Sequence, residues 1–536
     1  MADLVVIEAP GKLRTIRRSL ADNRIHADVV ATIGHVRGYD RRLVPLGISV
    51  DADDTLHEQR HVLRPNVRRF LAAAIAKADR VVIATDGDQE GHAIAADVAA
   101  LVRECAPVAP ILRMVPTGLD SASLAEAWAA AAPLVLVDAQ PGIGRRVADR
   151  VFASAQSEPE KGRVIGRVQL GLLQLCADGR VCRQVATLPV QAADGGRPFS
   201  ATVDLPPGVG EADVLGAFAA AAPARMIGEP VEAPLQTPMD AADALLALEA
   251  ELSIGIGDAA RLLQEMYESG DISYPRTSVR AYTGMGVEAV ARLAQVRGIL
   301  GFQRTTIPSM ESGAHEAIRL VGDRDAPDLM RLPRLAGRIT EGVRTIVGRR
   351  MVESGVPVRR EDGHCEGLPL WADRVRIVRD SIRARPGWSS APPASLVIRE
   401  RSPAAALVAA MAGAGVGRPS TYASHASRFI GTGWVDDELR LTDAGREVLD
   451  SVPGAVRRAA ATSAFEAAIE APGTALERAE RALAVLGVVT AWGGATATVD
   501  AAPEAMDRAH APEVETPATE ALEYEDEEDV PAYRVG

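Results

Sequence analysis

Two short apolar runs, each closed by carboxylates, constrain this chain more than any other feature. Leu4-Val-Val-Ile7 is followed at once by Glu8, and Val81-Val-Ile-Ala-Thr85 by Asp86-Gly-Asp88-Gln-Glu90. Apolar runs of this length, bounded by turn residues, read as strands buried on both faces. A helical pattern follows the first through Leu20, and another covers 92–102 after the second. Residues 66–78 are helical in pattern, and 29–33 read as a further strand ending at Gly34-His35. Strands alternating with helices imply a mostly parallel sheet. Sites on such sheets lie beyond the carboxyl ends of the strands, where Glu8 and the 86–90 cluster both fall.

The chain has 536 residues, which at roughly 100–200 residues per domain predicts three or more domains. With 47% hydrophobic and 24% charged residues it is not disordered as a whole. It has no long unbroken apolar run, so no membrane span is expected. Asp3 and the missing basic start argue against a signal peptide. Cys105, Cys176, Cys182 and Cys365 form no paired CxxC knuckles, so neither zinc nor a disulfide framework is expected. A reducing, cytoplasmic compartment follows.

The net charge of -13 is unevenly spread. Residues 504–536 hold 11 acids and 2 bases, a net of -9, which leaves -4 for residues 1–503. Residues 489–536 read as a linker and a disordered acidic tail, which could dock a protein partner, mimic DNA in the groove, or do nothing. The lysines are Lys12, Lys77 and Lys161 alone, so arginine supplies nearly all positive charge. Lys12 therefore stands out, because a flexible ammonium does work that a planar guanidinium does not.

Asp86, Asp88 and Glu90 alternate, so in extended or turn backbone they point the same way. Converging carboxylates suit a hard cation such as Mg²⁺. A solvated acidic loop is the plainer reading of the same string. Glu8 would share that sheet edge, and a carboxyl beside other carboxylates has its pKa raised and can act as a general acid. Lys12 could reach a phosphate. Arg146 and Arg150 stand at i, i+4 on one helix side, beside Asp149. They read as an ordinary solvated face or as a wall for single-stranded nucleic acid.

Glu8-Ala-Pro-Gly-Lys12, Gly34-His35-Val-Arg37 and Asp86-Gly-Asp-Gln-Glu-Gly91 resemble the Toprim domain of type IA DNA topoisomerases. Further similar motifs follow in the family's order. They are Ala139-Gln140 with Arg145-Arg146-Val-Ala-Asp149-Arg150, Gly166-Arg-Val-Gln169, Ile272-Ser-Tyr274-Pro-Arg276-Thr277, Ala314-His-Glu-Ala-Ile-Arg319, Gly415-Val-Gly-Arg-Pro-Ser-Thr-Tyr-Ala423 and Leu441-Thr-Asp-Ala-Gly-Arg446. The resemblance runs from about residue 4 to residue 450. It implies a multidomain α/β plus mostly α chain, a Toprim domain followed by a toroidal core.

The domains expected are Toprim (1–128), a helical DNA-binding domain in two parts (129–190 and 402–488), a β-rich arch in two parts (191–237 and 351–401) and a helical domain bearing the active-site tyrosine (238–350). The activity implied is ATP-independent, Mg²⁺-dependent breakage, passage and rejoining of single-stranded DNA, which relaxes negatively supercoiled DNA or decatenates it. The resemblance makes Tyr274 the nucleophile and Glu8 the general acid. Lys12, Arg276 and His315 face the scissile phosphate, and Glu8, Asp86, Asp88 and Glu90 bind Mg²⁺. DNA would meet His35, Arg146, Asp149, Arg150, Arg167, Gln169, Arg319, Arg418, Ser420 and Thr421. A monomer in the cytoplasm, at the nucleoid, is the expected state.

This chain departs from the family pattern at the metal loop. Gln89 stands where arginine is usual, His92 where glutamate is, and Gly87 where proline is. Ala9 replaces a usual serine and Ala153 a usual glycine. Tyr-Pro-Arg-Thr leans towards the decatenating subclass, GRPSTYA towards the relaxing one. The rival readings are an inactive relative that only binds single strands, and another Toprim enzyme such as a primase or nuclease.

Overall fold

The computed structural model describes residues 3–488, apart from 44–45, 159–162, 312, 314, 323–324, 333–337 and 390. The expected linker and acidic tail lie outside the described residues.

The N-terminal part is built on a five-stranded sheet. Its order is Ala27–Ala31, Asp3–Ile7, Arg80–Ile83, Ile111–Arg113, Ala132–Pro133. The first four strands run parallel and the last antiparallel. The near-continuous apolar sequence of Asp3–Ile7 follows from its central place. Leu4 and Val6 pack on one face with Leu71, Ile75, Ile94 and Val98. Val5 and Ile7 pack on the other with Ile16, Leu20 and Leu124. Helices Pro65–Ile75 and Gln89–Cys105 thus cover one face, and Leu13–Asp22 and Ser121–Ala129 the other.

A second sheet of six antiparallel strands interleaves two stretches of chain. Its order is Arg225–Pro234, Pro357–His364, Arg376–Ile382, Phe199–Leu205, Gln184–Val190, Val397–Glu400. Phe199, Ala201, Val203 and Leu205 alternate into its core, a period of two set by one buried face. Gln184–Val190, read from sequence as the end of a helical stretch, is a strand here. Its β-branched Val185, Thr187 and Val190, with Pro189, fit a pleated surface better than a helix.

The helices also come from distant sequence. Gln140–Gln156 lies against Ala475–Val485, and Arg167–Ala177 against Gly454–Ala460. A β-carbon built on Gly144 would stand 2.8 Å from the Ala475 carbonyl oxygen, and one on Gly171 2.4 Å from that of Ala460. Four helices, Ala241–Leu252, Ile256–Glu268, Gly284–Val296 and Ile339–Glu353, form the part that carries Tyr274. Among the described residues no helix is long and apolar enough to cross a membrane.

Gly171→Ala should therefore push two helices apart. The expected cost is about 1–3 kcal/mol, read as a lower thermal midpoint. Gly216→Ala, where a β-carbon meets nothing within 4 Å, is the control and should not lower it.

Candidate active site

The site forms where the parallel strands end. After Ile7 the chain turns through Glu8 and Ala9 into Pro10–Lys12, a short 3-10 turn with proline in its first turn. This aims Lys12 inward: it is 1% exposed and its ammonium donates to Asp86 Oδ1. A β-carbon on Gly11 would fall 1.8 Å from Glu268 Oε2, the free end of a flexible side chain, so a larger residue here would displace that carboxylate. After Ile83 the chain turns into helix Gln89–Cys105 with Asp88 as its N-cap, accepting from the Gly91 amide at 2.8 Å. Gly91 presses on the loop as well, since a β-carbon there would lie 2.1 Å from the Asp86 carbonyl oxygen.

His35 arrives by a strained turn. Ile33 (φ 58°) and Gly34 (φ 75°) are both left-handed, which for a β-branched residue costs energy. The turn brings His35 Nε2 to 2.5 Å from Glu90 Oε2. Burial alone would lower the pKa of His35, but the hydrogen bond and charge of Glu90 outweigh it and raise the pKa.

Tyr274 enters from the other side. Its hydroxyl donates to Asp88 Oδ2 at 2.7 Å, although the two are 186 residues apart. Its amide donates to the Thr117 carbonyl at 3.2 Å, and the Thr15 hydroxyl to the Glu268 carbonyl at 2.5 Å. The Tyr274 ring stacks on His315, with centroids 4.7 Å apart and 17° between planes. Burial and the charges of Asp88 and Asp86 raise the phenol well above its usual range, so it is protonated at rest. Burial lowers the pKa of His315, whose shielded ring nitrogens lack a partner of good hydrogen-bond geometry. Arg276 is exposed at the mouth, with its charge towards Tyr274, Asp86, Asp88 and Glu8.

The carboxylates respond to one another. Glu8 is raised to about 7, first by loss of water around it and then by Asp86, with Lys12 pulling the other way. For Asp88, burial acts upward. The Gly91 amide, the Tyr274 hydroxyl, His315 and Arg276 outweigh it and hold the carboxyl below its usual range. Asp86, Asp88 and Glu90 form an all-oxygen donor set whose chemistry fits a hard cation. Each is engaged by a protein donor: Lys12, Tyr274 and His35 respectively. Among the described residues no three His, Cys, Asp or Glu side chains are gathered in a ready-made metal cluster.

Two residues near the centre escaped the sequence reading. Tyr267, 1% exposed, donates to Asp86 Oδ1 at 3.4 Å. Its signal was a position seven residues before Tyr274, on the buried face of helix Ile256–Glu268. Arg113 donates to the carbonyls of Thr85 (2.7 Å) and Asp86 (2.6 Å), bracing the loop from beneath. Its signal was a charge ending a short apolar strand.

Most of the nucleic-acid candidates lie inside rather than on a solvated face. Arg146 gives Nε and Nη2 to Glu58 at 2.9 and 2.6 Å. Arg150 is held by the carbonyls of Leu46, Asp40 and Arg42 and stacks on Tyr39. Arg167 meets Asp149 at 3.3 Å and lies over Phe465. Arg145 and Arg418 both pair with Glu466. Gln169 approaches His425 Nδ1 at 3.1 Å. Arg319 pairs with Glu316, and its backbone pairs with that of Ser273 beside Tyr274. Ser420 and Thr421 are half-buried before helix Tyr422–Ile430. Gln89 bonds to Glu470 instead of joining the carboxylates. Buried hydrogen-bonding capacity is left over at Arg145 Nη1, both Nη atoms of Arg167, Asp149 Oδ2 and Gln169 Oε1. Orphaned groups of this kind are rare and call for a cause.

Residues 3–114 match the Toprim domain family. The DNA topoisomerase 1 of Synechocystis sp. is 26% identical over 538 aligned residues, covering 81% of this chain and 58% of the relative. That of Streptomyces coelicolor is 26% identical, covering 60% of this chain and 40% of the relative. A prokaryotic-type DNA topoisomerase 1 of Acanthamoeba polyphaga mimivirus is 31% identical, covering 32% and 19%. The chain thus spans at most 58% of the length of these curated relatives. Full-length topoisomerase I from Thermotoga maritima superposes with a TM-score of 0.58 at 18% identity, covering 90% of this chain and 88% of that one.

The raised pKa of Glu8 has a consequence for stability. The folded chain holds a proton that the unfolded chain releases near 4.5, so stability falls as pH rises from about 4.5 through about 7. In a chelator, the thermal midpoint of Glu8→Gln should gain on that of the wild type across this window. Parallel midpoints would show that Glu8 titrates normally.

Proposed function

We propose that this chain, which carries a Toprim domain and has the fold of the type IA DNA topoisomerases, breaks and rejoins single DNA strands through a covalent bond to Tyr274. The observation that carries the reading is the hydrogen bond from Tyr274 to Asp88, which unites a tyrosine from one part of the chain with the carboxylates of another. A buried tyrosine aimed at a cluster of acids is costly for stability and makes sense as chemistry.

In the step proposed, the phenolic oxygen forms a bond to phosphorus while the bond from phosphorus to the 3′ oxygen breaks. The phenolic proton has Asp88 at 2.7 Å as its nearest acceptor. Arg276 supplies positive charge to the emerging phenolate and to the crowded phosphate. Glu8, with a pKa of about 7, is partly protonated at neutral pH and gives its proton to the leaving 3′ oxygen. Lys12 and His315 face the phosphate. Asp86, Asp88 and Glu90, with Glu8 beside them, would hold Mg²⁺, which when bound supplies positive charge to align the strand ends for rejoining. Rejoining reverses each transfer, so the energy of the phosphodiester is kept and no nucleotide is required.

Single-stranded DNA would run past Arg145, Asp149, Arg167 and Gln169, whose unused donors and acceptors can take bases and phosphates, and past Arg418, which is paired with Glu466. Arg146 needs release from Glu58, and Arg150 from the carbonyls of Asp40, Arg42 and Leu46, before they can do the same.

The test is relaxation of negatively supercoiled plasmid with Mg²⁺ and no ATP. The wild type should relax it stepwise and be stopped by a chelator. Tyr274→Phe should relax nothing and form no DNA–protein adduct. Relaxation persisting in Tyr274→Phe would move the nucleophile elsewhere. Single-strand binding without relaxation by either protein would make the chain a binding relative.

A further inference from the structure

Tyr267 touches three members of the site at once. Its ring centroid lies 5.0 Å from the Lys12 ammonium. It meets the Tyr274 ring edge to face, at 5.4 Å and 79°. Its hydroxyl reaches Asp86 at 3.4 Å, the long end of hydrogen bonding. Tyr274 is therefore held between two rings, His315 by stacking and Tyr267 by its edge. Tyr267 sits in the last turn of helix Ile256–Glu268, and the next residue, Glu268, is tied to Thr15 through its carbonyl. With that helix against the sheet, the ring lies over Lys12, whose ammonium also meets Asp86.

We propose that Tyr267 is a positioning residue for strand cleavage: its ring sets the Lys12 ammonium and the Tyr274 phenol in register, and does so only while the two parts of the site are closed together. The inference rests on the reading of Tyr274 as nucleophile and Lys12 as a phosphate-facing cation. The ring, rather than the hydroxyl, is the working part, because a cation–π contact and an aromatic pair are short-range and well formed here while the hydroxyl contact is long. A tyrosine that merely filled the core would be replaceable by any apolar side chain of similar volume.

The experiment uses the full chain and a labelled single-stranded oligonucleotide, with cleavage measured as the single-turnover rate of trapped covalent adduct. Wild type, Tyr267→Phe, Tyr267→Met and Tyr267→Leu are compared, with Tyr274→Phe as the control on the reading itself. Oligonucleotide affinity and thermal midpoint are measured for each. Tyr267→Phe should cleave within about twofold of wild type, while Met and Leu should be about tenfold slower at saturating DNA, with affinity unchanged. Methionine lacks the ring but its flexible, unbranched chain fills irregular space better than leucine, so it decides the matter if leucine lowers the midpoint. Wild-type rates in Tyr267→Met would overturn the proposal. So would a Phe variant as slow as Met, which would assign the effect to the hydroxyl, or a loss of rate that only follows weaker binding or lower stability. An adduct absent from the wild type, or present in Tyr274→Phe, would sink the functional reading, and the proposal with it.

Discussion

The repulsion among carboxylates crowded at one sheet edge is the constraint that the rest of the site answers. Two like charges 4 Å apart at an effective dielectric constant of 20 repel by about 4 kcal/mol. Glu8, Asp86, Asp88 and Glu90 are met from separate directions by Lys12, His35 and Arg276. Taking an ion out of water costs several kcal/mol, so a buried pair such as Lys12–Asp86 is weak evidence for stability. Its value lies in where it fixes an ammonium. Neutralisation stops short at Glu8, the group left with a pKa of about 7.

Tyr274 is handled by the opposite logic. Tyr274 is buried, stacked and hydrogen-bonded so that its proton stays on at rest. The acids that raise its pKa are those that would bind a cation. Whatever neutralises them also eases the phenol towards ionisation. The site is thus poised by its own negative charge, and the same few residues set both resting inertness and readiness.

Much of this was legible in the sequence because strand ends and carboxylates are both local signals. Leu4–Ile7 followed by Glu8, and Val81–Ile83 followed by Asp86, could be placed at one edge from periodicity alone. The joining of Tyr274 to Asp88 was not visible in periodicity, since 186 residues separate them. It came through motif resemblance, as did the choice among seven tyrosines. Periodicity failed most at the arginines. The i, i+4 spacing of Arg146 and Arg150 looks the same whether the face meets solvent or Glu58 and the Leu46 carbonyl. Tyr267 and Arg113 were missed because their roles come from tertiary neighbours and their local sequence resembles ordinary core and strand-end positions.

The interleaving of distant helices also sets a clock on synthesis. Arg145 is completed by Glu466, made 321 residues later. At about 5–20 residues per second, Arg145 leaves the ribosome roughly 15–60 s before its counter-charge exists. Glycines 144 and 171, shaped for backbone contacts with Ala475 and Ala460, wait as long. Over that interval helices Gln140–Gln156 and Arg167–Ala177 lack the partners Ala475–Val485 and Gly454–Ala460 that pack on them, so this part of the fold can close only after those later helices are made.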